Sequence, residues 1–388
     1  MELSLLLFAV SQQCKQRHVY GLYPHTPLRG RILTFDVIVF VWSECISAPL
    51  PALPGSCKEN QMETRGEEAG GPQILRSSIT MCEQNQTTVT EFILLGFQSF
   101  SNLKALLFSL VFSVYVIILC GNLLIIVLVS TNHRLQVPMF YFLKNLALVD
   151  ILFTTNIVPN MLYIILMEGG KISTTGCFVQ YYVHCICIYT QSVILSVMSL
   201  DRYMAICQPL HYFTVMNPKV CFHLAFWSWA AGFFLIPSEF LLIFQLQFCE
   251  SAIIDHFFCD FAPFLRLSSS NTEIIRWQDF MISVLLIFLP FLFVIVSYVC
   301  IFITILKIST AAGRKKAFST CSSHLATVST HYGALVTIYI FTARGNSLPE
   351  NKWRSLLYTV LTPFINPILY SMRNQEFRKV LKKLICRR

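Results

Sequence analysis

The chain has 388 residues, of which 55% are hydrophobic and 13% charged, with 33 phenylalanines and a mean hydropathy of +0.61. A soluble domain carries about 25% charged residues, so this composition excludes an ordinary soluble globule and points to an integral membrane protein. The net charge of +9 reads as a bias toward an inner leaflet and not as a nucleic-acid footprint, because of where the basic residues fall.

Residues 1–80 carry seven Lys/Arg, seven Asp/Glu and six prolines with no sustained hydrophobic period, and they read as a disordered extension. Leu3 to Val10 has the apolarity of a signal peptide, but Glu2 stands where a basic residue is wanted. Ile32 to Trp42 is too brief to span and contains Asp36. From Met81 the character changes. Asn85-Gln86-Thr87 is an Asn-x-Ser/Thr sequon, in a stretch with Glu83 and Glu91 but no Lys or Arg before Lys104, which suits an outer, glycosylated tail over residues 81–102.

Seven long apolar segments follow, at 103–129, 139–166, 177–206, 220–244, 279–306, 322–342 and 353–370. Each exceeds or approaches the roughly 20 residues that a spanning helix needs. The expected fold is an all-α membrane protein, a seven-helix bundle over 103–370. The third segment runs from Cys177 to Asp201-Arg202 without a charge between them. As a helix this interval covers roughly 36 Å, so its two ends sit at opposite membrane faces. With residue 81 outside, fifteen Lys/Arg of residues 81–388 fall on the inner side and seven on the outer. That asymmetry places the amino end outside the cell and the carboxyl end in the cytoplasm.

Beyond the seventh segment, within the tail 371–388, Phe377, Val380, Leu381, Leu384 and Ile385 recur on one helical face. Arg378, Lys379, Lys382 and Lys383 fill the other. This is a short basic amphipathic helix for the inner lipid surface, with Cys386 where an acyl chain could attach.

Asp150, inside the second segment, is an ionisable residue of the kind that costs about 2.5–3.5 kcal/mol at a membrane helix centre and usually faces the bundle interior. Pro363 and Pro367 each remove a helical hydrogen bond from the seventh, and Asn366 lies between them, which suits either a hinge or a static kink. Asp201-Arg202 reads on its own as a juxtamembrane ion pair worth about 0–1 kcal/mol. Cys120, Cys185, Cys187, Cys207, Cys221, Cys300 and Cys321 lie within apolar stretches or at their inner ends and read as small packing residues.

Taken together, a cysteine opening the third helix and Asp201-Arg202-Tyr203 closing it resemble the rhodopsin-like G-protein-coupled receptors. Further motifs narrow the resemblance to the odorant receptors: Gly121-Asn122, Pro138-Met139-Phe140-Tyr141-Phe142-Leu143, Ser297-Tyr298, Lys316-Ala317-Phe318-Ser319-Thr320-Cys321-Ser322-Ser323-His324-Leu325, and Pro363-Phe364-Ile365-Asn366-Pro367-Ile368-Leu369-Tyr370. The resemblance covers residues 81–388. It implies a plasma-membrane receptor, not an enzyme, that binds a small apolar odorant without a cofactor and activates a heterotrimeric G protein to raise cAMP. A transporter of a small solute is the competing class; it should show repeats or several intramembrane charges, and only Asp150 and Glu239 qualify. A membrane enzyme would need a nucleophile with its base or a metal cluster, and no such motif is present.

Four groups of residues carry the implied function. The odorant would lie in the outer half of the bundle against His184, Cys185, Ile188 and Tyr189 of the third helix, Ile282, Ser283 and Leu286 of the fifth, and Tyr332, Leu335 and Val336 of the sixth. Asp201, Arg202, Tyr203, Tyr298, Asn366, Pro367 and Tyr370 would form the G-protein switch, in which Arg202 leaves Asp201 to meet Tyr298 or the partner. Asn122, Asp150, Gln191 and Asn366 would form a polar cluster, either functional or simply satisfying one another; Gln191 stands where many odorant receptors have glutamate. By family resemblance Cys177 pairs with Cys259, which leaves Cys249 either a free thiol or joined to Cys82. His331 reads as a core histidine and not a metal ligand.

Overall fold

In the computed structural model the described residues are 89–97, 103–248, 252–343, 352 and 354–385, all within one compact unit, Gly71–Arg388. The leader, the sequon at Asn85, Cys82, Cys249 and Cys386 lie outside the described residues.

The structure is a seven-helix membrane bundle closed by a short amphipathic helix. α1 (Lys104–Thr131), α2 (Pro138–Met167), α3 (Thr174–Cys207), α4 (Pro218–Phe244) and α5 (Glu273–Lys307) are each long and apolar enough to cross a membrane. α1 shows why. Val111, Ile118, Asn122, Ile125 and Val129 face inward at helical spacing, while Leu106, Leu110, Phe112, Ile117, Leu123 and Val127 are exposed. So continuous an apolar outer face is stable only against lipid. α2 and α4 begin with Pro138 and Pro218, where a missing N–H costs nothing, and Asn217 caps α4 by accepting from the Val220 N–H at 3.0 Å.

α5 and the last spanning helix each contain a π-helical turn, at Val284–Phe288 and Leu357–Leu361. Each turn lies two residues before a proline, Pro290 and Pro363, whose missing N–H releases a carbonyl one turn back and lets the ladder shift. α7 (Thr362–Arg373) continues from the second of these. Gly121 of α1 packs directly on it, since a Cβ there would lie 3.0 Å from Pro367. α6 (Ala311–Ala343) starts eleven residues before the expected boundary, because Arg314, Lys315 and Lys316 continue the helix as good helix formers. α8 (Gln375–Ile385) buries Phe377 and Val380 while Arg378, Lys379, Lys382 and Lys383 stay exposed. Asn374 caps it, accepting from the Glu376 and Phe377 N–H groups at 3.1 and 3.2 Å.

One element is absent from the sequence reading. β1 (Glu91–Leu94) pairs antiparallel with β2 (Gly170–Ser173) and parallel with β3 (Ile253–Ile254). The sheet sits at the Cys177 end of α3 and buries Phe92 and Leu94, whereas Glu91 and Ile93 face out. β2 runs straight into α3, where the Ser173 hydroxyl accepts from the Gly176 N–H at 3.1 Å and caps the helix.

Candidate functional site

α3 is the axis of the site. It is 34 residues long, is buried along most of its length, and meets a different polar or aromatic group at each level.

At one end, Cys177 and Cys259 form a disulfide with Cα atoms 5.5 Å apart. Gln180, one turn below Cys177, accepts from the Cys259 N–H through its side-chain oxygen at 2.9 Å and exchanges amide hydrogen bonds with Asn156 of α2. The loop before Cys259 is tied to the last helix as well. Lys352 pairs with Asp255 and donates to the Gly96 carbonyl at 2.9 Å, and His256 lies 3.3 Å from the Ser355 hydroxyl. Burial, reinforced by the charge of Lys352, lowers the His256 pKa to about 3, so this loop histidine is neutral.

Beneath that loop lie the expected ligand-facing residues. His184, Cys185, Tyr189, Ile282, Ser283, Leu286, Tyr332 and Leu335 are buried, and Ile188 is half-buried. Cys185, Tyr189, Ile282 and Leu286 share one apolar cluster with Tyr181 and Ile236. Tyr332 and Leu335 pack in the neighbouring cluster, with the Tyr332 ring 4.5 Å from Phe291. His184 faces α2, the loop before Cys259 and the last helix instead, its ring 5.2 Å from Phe153, 5.0 Å from Phe258 and 5.7 Å from Tyr358. Val336 is a correction. It is 45% exposed, because it lies about 100° round the helix from Leu335 and outside the inward stripe of Tyr332 and Leu335. His331 is a satisfied core histidine, its Nε2 2.9 Å from the Ser192 hydroxyl of α3.

At mid-height Asp150 is fully buried and accepts two hydrogen bonds, from the Gln191 amide at 2.8 Å and the Asn366 amide at 2.9 Å. α2, α3 and α7 are joined through this one carboxylate. Asn122 belongs to the same buried layer without bonding Asp150; its amide donates to the Ile118 carbonyl at 3.0 Å and the Pro363 carbonyl at 3.4 Å. Of the two asparagines expected in this cluster, only Asn366 bonds the carboxylate. Asn366 serves Asp150, and Asn122 covers a carbonyl at the proline of α7.

At the other end Arg202 is paired with its neighbour Asp201, and Asp201 also accepts from the Tyr212 hydroxyl at 2.8 Å. Both charged groups are buried, with Arg202 7% exposed. Tyr298, one expected destination of Arg202, is bonded elsewhere, its hydroxyl 2.7 Å from Nδ1 of His324. The second nitrogen of His324 lies 3.1 Å from the Leu195 carbonyl. Tyr298, Tyr370, His324 and Cys321 all lie within electrostatic reach of Arg202. Tyr203 stays at the rim, half-buried, with its hydroxyl 3.4 Å from the Gln208 amide. Pro367 meets Gly121. Sequence reasoning missed His324 and Tyr212, although His324 stands in a motif it had quoted.

Comparison with known proteins places the chain in a family. The olfactory receptor family description matches residues 110–388. Olfactory receptor 11A1 of Homo sapiens is 41% identical over 299 residues, 77% of this chain and 95% of that protein. Olfactory receptor 6X1 of Homo sapiens is 40% identical over 77% of this chain and 96% of its own length. Olfactory receptor 1M1 of Mus musculus is 40% identical over 79% and 97%.

Proposed function

The chain belongs to the olfactory receptor family, and on that premise we propose that it binds a small, mostly apolar odorant at the Cys177 end of the bundle and activates a heterotrimeric G protein of the stimulatory, cAMP-raising type from the Arg202 end. The Cys177 end and the sequon at Asn85 then face outward, and the Arg202 end and α8 face the cytoplasm and its lipid surface.

The observation that carries this reading is the division of α3. One end is lined by buried apolar and aromatic side chains with few polar groups, which suits a small volatile ligand. The other holds a charged pair in a setting with two arrangements available to it. Arg202 is held by Asp201, and Tyr298 by His324. Breaking both frees an arginine and a tyrosine on facing helices, which is the bistable element that switching requires. The Asp150 layer between them joins α2, α3 and α7, so movement at the ligand end can reach the switch.

The test is a cAMP reporter assay in cells displaying the chain, screened against a diverse odorant panel. At least one odorant should raise cAMP in a concentration-dependent way. Solute uptake into the same cells without any cAMP response would favour the transporter class instead.

A further inference from the structure

The ligand end of the bundle holds acidic groups that the switch and the apolar lining leave unexplained. Glu239 of α4 is fully buried, and its Oε1 accepts from the Tyr181 hydroxyl of α3 at 2.6 Å. Its second oxygen, Oε2, is buried with no hydrogen-bond partner. Next to Glu239, Ser238 accepts from the Gln278 amide of α5 at 2.6 Å, a clip that brings α4 and α5 together one residue from Glu239 on one side and Asp279 on the other. Asp279 lies within electrostatic reach of Glu239 and of Asp260 in the loop after Cys259. Cys185, one of the ligand-facing residues, lies within reach of all three carboxyl groups.

What is missing around them is a cation. Among the described residues no lysine or arginine forms an ion pair with Glu239, Asp260 or Asp279. Buried carboxylates are costly unless paired and hydrogen-bonded, and a buried acceptor oxygen without a donor adds to that cost. Elsewhere in this structure buried or half-buried carboxyl groups are met, Asp201 by Arg202, Asp255 by Lys352, and Asp150 by two amide donors, one on each oxygen.

We propose that the ligand this receptor takes is a small amine in its protonated form, its ammonium seated between Glu239 and Asp279 with one N–H directed to the free Oε2 of Glu239. The assignment rests on the receptor reading above and narrows its ligand class. An ammonium supplies the charge and the donors that this corner lacks. The hydrocarbon part would extend along Ile282, Leu286 and Tyr189, which are buried in the same apolar cluster as Tyr181. The Tyr181 ring, stacked with Phe261 at 6.5 Å, adds an aromatic wall of the kind that attracts a desolvated cation. A divalent metal fits less well, because among the described residues no three His, Cys, Asp or Glu groups are placed to hold one.

The experiment compares matched pairs of probes on cells displaying the full chain with a cAMP reporter: cyclohexylamine against cyclohexanol, and isoamylamine against isoamyl alcohol. Each amine should act at about a tenfold lower concentration than its alcohol, as expected for a charge-assisted hydrogen bond that the alcohol lacks. Glu239→Gln should collapse this amine-to-alcohol ratio toward unity, and Asp279→Asn, at a less buried position, should lower it even if the first variant fails to reach the surface. Alcohols as potent as amines, or a ratio unmoved by either substitution, overturns the assignment; the carboxyl groups are then neutralised by protons and not by a ligand. A response to neutral odorants without amine preference overturns only this proposal. Silence toward every odorant at confirmed surface display counts against the receptor reading as well.

Discussion

The hydroxyl of Tyr298 lies 2.7 Å from Nδ1 of His324, and the same imidazole reaches the Leu195 carbonyl with its other nitrogen at 3.1 Å. One buried histidine thus bridges α5, α6 and α3 at the level of Arg202. The bond also occupies the tyrosine that a released Arg202 would meet. The bridge favours the arrangement in which α6 stays packed against α3.

Removing it should therefore shift the receptor toward signalling without ligand. A single hydrogen bond of about 1 kcal/mol corresponds to about a fivefold change in a two-state equilibrium. His324→Ala should raise ligand-independent cAMP several-fold at equal surface display. Basal cAMP equal to or below that of the unmutated chain would show that the bridge does not hold the resting arrangement.

The Cys177–Cys259 bond closes a separation of 82 residues and anchors the loop at the proposed ligand end. Replacing either cysteine by serine should cost about 2–5 kcal/mol, as for native disulfides in small secreted domains. The observable is a marked fall in surface display. Peptide mapping of the unreduced protein should recover a Cys177–Cys259 fragment, and a fragment joining Cys177 to Cys249 would contradict the pairing.

The same loop should be acid-sensitive through His256. Its folded pKa of about 3 lies below the ordinary 6.5, so the unfolded chain binds the proton first as pH falls. Stability is then fully present above about pH 6.5 and is lost progressively toward about pH 3, amounting to about 2 kcal/mol at about pH 5. Asp260 opposes this. Burial raises its pKa from 3.8 to about 6, so the folded chain takes up that proton first and gains stability as pH falls through about 6. Thermal unfolding of the purified chain should show His256→Gln flattening the acid loss and Asp260→Asn steepening it. Parallel curves for all three proteins would refute the assignment.

Residues 1–80 hold none of the motifs that carry the family resemblance, and the family match begins at residue 110. A chain started at Met81 should reach the cell surface and respond like the full one. Retention in the endoplasmic reticulum only when residues 1–80 are missing would assign the leader a role.

Legibility from sequence followed chemical contrast. Asp150, Asp201 and Arg202 stand out because a charge within an apolar run has few explanations, and each proved buried and bonded. His324 did not stand out, since its partners Tyr298 and Leu195 lie 26 and 129 residues away and only helix packing brings them together. Asp279 was hidden for a different reason. It marks where the apolar part of the fifth segment begins, so it read as a boundary, whereas the helix starts at Glu273 and holds it half-buried within electrostatic reach of Glu239. The three strands, of two to four residues, are too short for an alternating pattern to register.

In the function proposed above, an odorant bound at the Cys177 end reaches a G protein through Arg202. The most direct measurement is ligand-driven cAMP in cells displaying equal amounts of the unmutated chain and of Arg202→Ala, exposed to an odorant that activates the former. The expected result is a concentration-dependent rise in the first and none in the second; an undiminished rise in Arg202→Ala at equal surface display would rule out the arginine as the route to the G protein.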